Sequence, residues 1–192
     1  FDGLLLKKAG GIETAGALIG PLYLLPREKK DSPLHDAREY ATLLNACGKT
    51  NKASYALGAC LHDSLSLDRA MSILSGYHRE ITSALRWFYE QRGKSVVETE
   101  THVLIRAETA IRDSLIGVVT SLLSKSNLYP EGTVLLGLSQ TLGGEVKVSC
   151  RLSGEHDRGP DLRRLMHETL SLTGGQGGGH PIAAGDILPQ DK

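Results

Sequence analysis

A glycine-rich run near the end of the sequence has the residue types best suited to binding a ligand. Five of the six residues from 174 to 179 are glycine, and His180-Pro-Ile-Ala-Ala-Gly185 follows directly. Glycine lets a ligand approach the backbone N–H groups closely, and such loops form concave anion sites. The imidazole of His180 can donate a hydrogen bond to a phosphate. The run therefore predicts either a phosphate-binding loop or a structural turn, and the residue types leave both open.

Residues that could hold a catalytic metal ion are not spaced as ligands. The nearest candidates, His35-Asp36 and His62-Asp63, have no partner carboxylates at ligand spacing. A metal site needs several such ligands grouped around the ion, and neither pair has them. We therefore predict no catalytic residue and no metal ligand in this chain.

The overall composition is that of an ordinary globular protein. Lys plus Arg equals Asp plus Glu, at 22 each, so any nucleic-acid site has to be a local patch. No uninterrupted apolar run of 18 residues occurs, which argues against a membrane span. Cys47, Cys60 and Cys150 are odd in number and form no C-x-x-C pair, so we expect no disulfide framework, which favours a reducing cytoplasm. All three are expected to be small buried residues.

The elements that must position these residues change character along the chain. Apolar periodicity predicts helices over 33–48, 53–61 and 66–93, the first capped by Asp31 or Ser32. After Lys94 the patterns predict a strand, a helix, a two-stranded hairpin, a helix, the glycine loop and a short last strand. The predicted fold is α/β, with a helical connector region followed by a small α/β sandwich domain with a mixed sheet.

Two stretches in the second half resemble a known family. The run GGGHPIAAG at 177–185 resembles the GGH-x-x-AAG signature of the DHH-associated domain. KVSCR, Lys147 to Arg151, is similar to that family's strand ending in Ser-x-Arg. The stretches 36–49 and 112–123 are similar to archaeal RecJ-like proteins. The chain therefore resembles DHH-family phosphoesterases of the archaeal RecJ-like single-strand nuclease group.

The resemblance implies three regions and a set of binding residues. Residues 1–30 would be the tail of a preceding region, 31–95 a helical inter-domain region, and 96–192 the DHH-associated substrate-binding domain. The implied phosphate-binding residues are Ser149, Arg151, Gly177, Gly178, Gly179, His180, Ala183, Ala184 and Gly185. Arg38 and Asn45 lie two helical turns apart on one face, so they either face the cleft between domains or serve as an ion-pair partner and a helix cap.

The same resemblance implies what the longer protein does. We expect this chain to be the part of a metal-dependent phosphodiesterase or exonuclease that binds phosphate and single-stranded nucleic acid. The chain alone would be inactive, with Mn²⁺ or Mg²⁺ held by a separate catalytic domain. Expected partners are single-stranded DNA or RNA, short oligonucleotides, and a GINS-type replication partner, in repair or replication. The alternatives are a non-catalytic replisome scaffold and a phosphodiesterase for small nucleotides or cyclic dinucleotides.

Overall fold

The first part of the chain is helical. The computed structural model describes residues 21–154 and 159–189, so most of the tail predicted over 1–30 lies outside the described residues. A 3₁₀ turn at Pro33–His35 precedes α1 (Ala37–Lys49), α2 (Ala53–Cys60) and α3 (Ser64–Glu90). The predicted cap of α1 was wrong. Ser32 caps the 3₁₀ turn, whereas the side chain of Asp36 accepts the N–H of Arg38 and caps the helix.

The long helix α3 packs against the rest of the molecule along one face. Its 27 residues span about 40 Å at 1.5 Å each. Its apolar positions recur at helical spacing, and the buried ones are Ala70, Leu74, Tyr77, Ala84 and Phe88. Within the part of the chain that the structure describes, no helix is long and apolar enough to cross a membrane.

The second part of the chain forms one mixed sheet of six strands. The strands are β1 (Val96–Glu98), β2 (His102–Glu108), β3 (Val134–Gln140), β4 (Val146–Leu152), β5 (Gln176–His180) and β6 (Ala183–Leu188). Their order across the sheet is β1-β2-β3-β4-β6-β5. Only β2 and β3 pair in parallel, through a crossover that contains α4 (Asp113–Ser124). This confirms the predicted α/β fold class with a helical region followed by a mixed sheet.

Helices cover both faces of the sheet. Helix α4 packs on β3 and β4, and its buried residues join those of α1 and α3 in one apolar core that runs from Leu34 to Leu135. Helix α5 (Leu162–Thr173) packs on the opposite face, where Leu162 and Met166 contact a second cluster that includes Val148 and Cys150. The connector helices and the first strands therefore share one core.

Two predictions about individual residues were wrong. The expected loop at the glycine run is strand β5 over Gln176–His180, and β5 forms a hairpin with β6. Cys60 was expected to be buried but is exposed at the end of α2, while Cys47 and Cys150 are buried. All three cysteines have free thiols.

Candidate phosphate-binding cleft

A cleft of about 450 Å³ opens beside α4, on the face of the sheet that α4 covers. It falls in the range of about 300–1,000 Å³ that is typical of small-ligand sites. Strands β4, β5 and β6 form its floor, and the first turns of α4 and the last residue of α1 form its sides. Its lining residues are Lys49, Asp113, Ser114, Gly117, Lys147, Val148, Ser149, Arg151, Gly178, His180, Ala183, Ala184 and Gly185.

Strand register explains why these residues meet. Residues paired across neighbouring strands share one face of a sheet, and alternate residues along a strand lie on that same face. Arg151 pairs with Ala183, and Ala183 pairs with His180. We call Arg151, Ala183 and His180 the cationic row, after the guanidinium of Arg151. The row places the guanidinium and the imidazole on the cleft face.

A second row of small residues lies beside the cationic row. Ser149 pairs with Gly185, and Gly185 pairs with Gly178. None of the three has a side chain larger than a hydroxymethyl group, so the floor of the cleft is low at this row. A ligand held by the cationic row can therefore lie against the backbone of β6 and β5 here.

Arg151 is the principal charged group of the cleft. Its Nη1 donates to the backbone oxygens of Cys150 (2.7 Å) and Ala184 (3.3 Å), which fixes the plane of the guanidinium. In the described ranges, no carboxylate lies within ion-pair distance of Arg151. Burial lowers the pKa of Arg151, because the charged form has lost water without gaining an anion.

Helix α4 packs closely against β4 at this point. A Cβ on Gly117 would lie 3.3 Å from Ser149 Oγ and 3.8 Å from Arg151 Nη2, so glycine allows the close approach. The hydroxyls of Ser149 and Thr120 are hydrogen-bonded at 3.1 Å, and both residues are buried. Ser149 therefore joins the helix to the sheet under the cleft. At the start of α4, the carboxylate of Asp113 accepts a hydrogen bond from the N–H of Ser114 at 2.7 Å.

The three consecutive glycines of β5 differ in what surrounds them. A Cβ at Gly177 would lie 2.6 Å from the backbone oxygen of Gly185, and one at Gly179 would lie 2.4 Å from that of Ala183. A Cβ at Gly178 would have no protein atom within 4 Å. On the α5 side Gly177 and Gly179 thus leave no room for a Cβ, whereas Gly178 faces the open cleft.

The structure brings most of the predicted binding residues together. Seven of them line the cleft: Ser149, Arg151, Gly178, His180, Ala183, Ala184 and Gly185. Gly177 and Gly179 project to the opposite face, because side chains alternate along a strand and the predicted loop is a strand. Their predicted role in phosphate binding stays a prediction.

Arg38 and Asn45 lie away from the cleft beside α4. Both are exposed on α1 and neither lines this cleft, so their predicted place in a cleft between domains stays a prediction. The guanidinium of Arg38 lies 5.8 Å from the centre of the Tyr23 ring, which is a cation–π geometry. The residue of α1 that does reach the cleft is Lys49, at the other end of that helix.

Sequence patterns missed six lining residues. One of them, Val148, borders the cleft although it belongs to the apolar cluster on the α5 face. Lys147 had a usable signal, since it alternates with Ser149 and Arg151 along β4 and so shares their face. Lys49, Asp113, Ser114 and Gly117 had none, because packing of α1 and α4 onto the sheet brings them there. In the described ranges, no three His, Cys, Asp or Glu side chains are grouped to hold a metal ion. The described lining residues of the cleft therefore do not fit a two-metal centre.

Comparison with known family models finds one match in the second part of the chain. Residues 101–192, which include every lining residue of the cleft except Lys49, match the family model described as the DHHA1 domain. No curated protein sequence matches the chain.

The solved structures that are similar to this chain include two that are described in words. The pGpG-specific phosphodiesterase PggH from Vibrio cholerae is 14% identical, over 62% of this chain and 37% of that one, with a TM-score of 0.41. A DHH-domain structure, described as that of a member of a family of ribosomal proteins, is 15% identical, over 79% and 38%, with a TM-score of 0.47. The chain thus spans less than two fifths of the length of either structure.

Proposed function

We propose, on the premise that residues 101–192 are a DHHA1 domain, that this chain binds the phosphates of single-stranded nucleic acid or short oligonucleotides. Binding takes place in the cleft beside α4, where the chain serves as the substrate-binding part of a DHH-family phosphodiesterase. Catalysis is proposed to need Mn²⁺ or Mg²⁺ held by residues other than those of the cleft.

One observation supports this proposal above the others. The guanidinium of Arg151 is partly buried, its plane is fixed by two backbone oxygens, and it has no carboxylate partner among the described residues. Partial burial of an unpaired charge is unfavourable, and an anion in the cleft offsets that cost. A phosphate suits the site because a guanidinium can donate two parallel hydrogen bonds to it.

Most of the charged residues around the cleft are basic. Lys49 and Lys147 line the cleft with Arg151, and the one carboxylate among its described lining residues, Asp113, already accepts the N–H of Ser114. His180 adds a ring that can donate to a phosphate oxygen. A protein with no net charge thus has a locally cationic cleft, which is what binding of a nucleic-acid backbone requires.

The finer assignment follows the sequence resemblance. We propose that the longer protein belongs to the RecJ-like single-strand nucleases, with roles in DNA repair or replication and a GINS-type protein as a partner. The free cysteines agree with a proposed location in the reducing cytoplasm.

The proposal is tested by measuring fluorescence anisotropy of a 3′-labelled, 5′-phosphorylated single strand of about ten nucleotides over a salt series. Arg151→Ala is expected to weaken binding by about 1–3 kcal/mol, the cost of losing a charged hydrogen-bonding group. It should also reduce the slope of log K against log salt by about 0.7, the value for one phosphate contact on a single strand.

Two further variants make the result specific. Arg151→Lys retains the charge but not the planar fork, so it should bind with intermediate affinity. Arg86→Ala removes the same charge from an exposed position of α3 outside the cleft and should bind like the wild type. Equal binding by the wild type and Arg151→Ala would contradict the proposal, as would no binding by the wild type at low salt.

A further inference from the structure

A third row of residues lies on the same face of the sheet, beyond the row of small residues. Lys147 pairs with Ile187, and Ile187 pairs with Gln176. Of this row Lys147 lines the cleft, whereas Ile187 and Gln176 line a neighbouring pocket. The cleft therefore presents Arg151 and His180 at one end and Lys147 at the other, with the low row of Ser149, Gly185 and Gly178 between them.

The separation of the two cations is set by the strand. Arg151 and Lys147 are four residues apart on β4, which is about 13 Å between their Cα atoms at about 3.3 Å per residue. Both side chains are long enough to reach inward over the low row. One sugar separates consecutive phosphates of a strand, and the low row between the cations leaves room for that sugar.

Lys147 resembles Arg151 in lacking an anionic partner. It is partly buried, and no carboxylate of the described ranges lies within ion-pair distance of its ammonium group. Glu145 precedes β4 on the same face but lines a neighbouring pocket. Lys49, Lys147 and Arg151 line the cleft together with one described carboxylate, Asp113, so basic groups outnumber acidic ones there, which suits more than one phosphodiester.

We propose that Lys147 binds a second phosphate, so that the cleft selects ligands with two consecutive phosphates over ligands with one. The preferred ligand is a 5′-phosphorylated dinucleotide or a longer strand, and a mononucleotide occupies only the end at Arg151 and His180. This inference rests on the proposed function and assigns Lys147 as the residue that distinguishes these ligands.

The test is competition between the labelled strand and two unlabelled ligands, a 5′-mononucleotide and a 5′-phosphorylated dinucleotide. Lys147→Ala should weaken dinucleotide binding by about five- to tenfold, as loss of one charged contact does, and leave mononucleotide binding within about twofold. Lys147→Met keeps the length of the side chain without the charge and should behave like the alanine variant. Lys147→Arg restores the charge and should restore the dinucleotide preference.

A matched control and one cleft variant separate the two proposals. Lys125→Ala removes the same charge from an exposed position at the end of α4 and should change neither affinity. If Arg151→Ala weakens both ligands while the Lys147 variants change neither, or change both equally, the two-phosphate inference is wrong and the proposed function stands. If Arg151→Ala also changes neither affinity, the proposed function itself fails.

Discussion

Replacing Gly178 by alanine places a methyl group in open space on the cleft face of β5, where no protein atom lies within 4 Å of it. The backbone of Gly178 does not have a positive φ, so alanine is not strained there. We therefore expect Gly178→Ala to fold as well as the wild type. Its free energy of unfolding should stay the same or rise by about 0.5 kcal/mol, because alanine has less conformational freedom than glycine in the unfolded chain.

The neighbouring Gly179→Ala variant has the opposite expectation. Its Cβ would lie 2.4 Å from the backbone oxygen of Ala183 and 2.8 Å from the Cβ of Ala184, so the β5–β6 hairpin must shift. Crowding of this kind costs about 1–3 kcal/mol of stability.

Gly178→Ala should instead lose about tenfold in affinity for a 5′-phosphorylated strand, or about 1.4 kcal/mol, because the methyl group occupies the space of the ligand.

Urea unfolding followed by circular dichroism gives the two stabilities, and anisotropy gives the affinity. The reasoning is refuted if Gly178→Ala is as destabilised as Gly179→Ala, since the face assignment of the strand would then be wrong. It is equally refuted if Gly178→Ala is stable and binds the strand like the wild type. In that case the ligand does not approach the low row of the cleft.

Two further predictions concern stability at low pH and thiol reactivity. Burial alone raises the pKa of Glu98, but hydrogen bonds from Tyr129 and Arg92 and the charge of Arg92 lower it below its ordinary value. Glu98 therefore stabilises the fold at neutral pH, and this contribution disappears as the pH falls through the lowered pKa. Urea titrations should give Glu98→Gln a lower free energy of unfolding than the wild type at pH 7, and the gap between the two should narrow below about pH 4. A gap that does not change with pH would contradict this. Burial raises the pKa of Cys150 to about 11, so iodoacetamide at pH 8 should label Cys60 in the folded protein and the two buried cysteines only in urea. Labelling of Cys150 without urea would show that its thiol is accessible to solvent in the folded protein, which contradicts the prediction.

Elements whose own sequence determines their structure were predictable. The hairpin of β3 and β4 has alternating residues on both strands and a Gly143-Gly144 turn, and Gly144 has the positive φ that such a turn requires. The apolar stripe of α3 extends over seven turns, so no other element suits that segment. The rule of alternation also predicts that Ser149 and Arg151 share a face.

The remaining elements depend on contacts that the local sequence does not encode. Strand β1 has three residues, too few for alternation to be visible, and it exists because β2 pairs with it. Strand β5 consists mostly of glycine, which is unfavourable in strands, so it forms because β6 and α5 hold it. Lys49 lines the cleft because α1 packs in the shared core, and the local sequence of α1 does not show that packing. The boundary predicted between residues 95 and 96 stays a prediction.

The position of β5 at the edge of the sheet has a consequence for solubility. An edge strand presents a row of backbone hydrogen-bonding groups with which another chain can pair, and this is a common start of aggregation. Every residue of β5 is exposed, yet its three central positions are glycine and offer an incoming strand no side chains to pack against. The composition that keeps the cleft open to a ligand therefore also makes this edge a poor template for the association of misfolded chains.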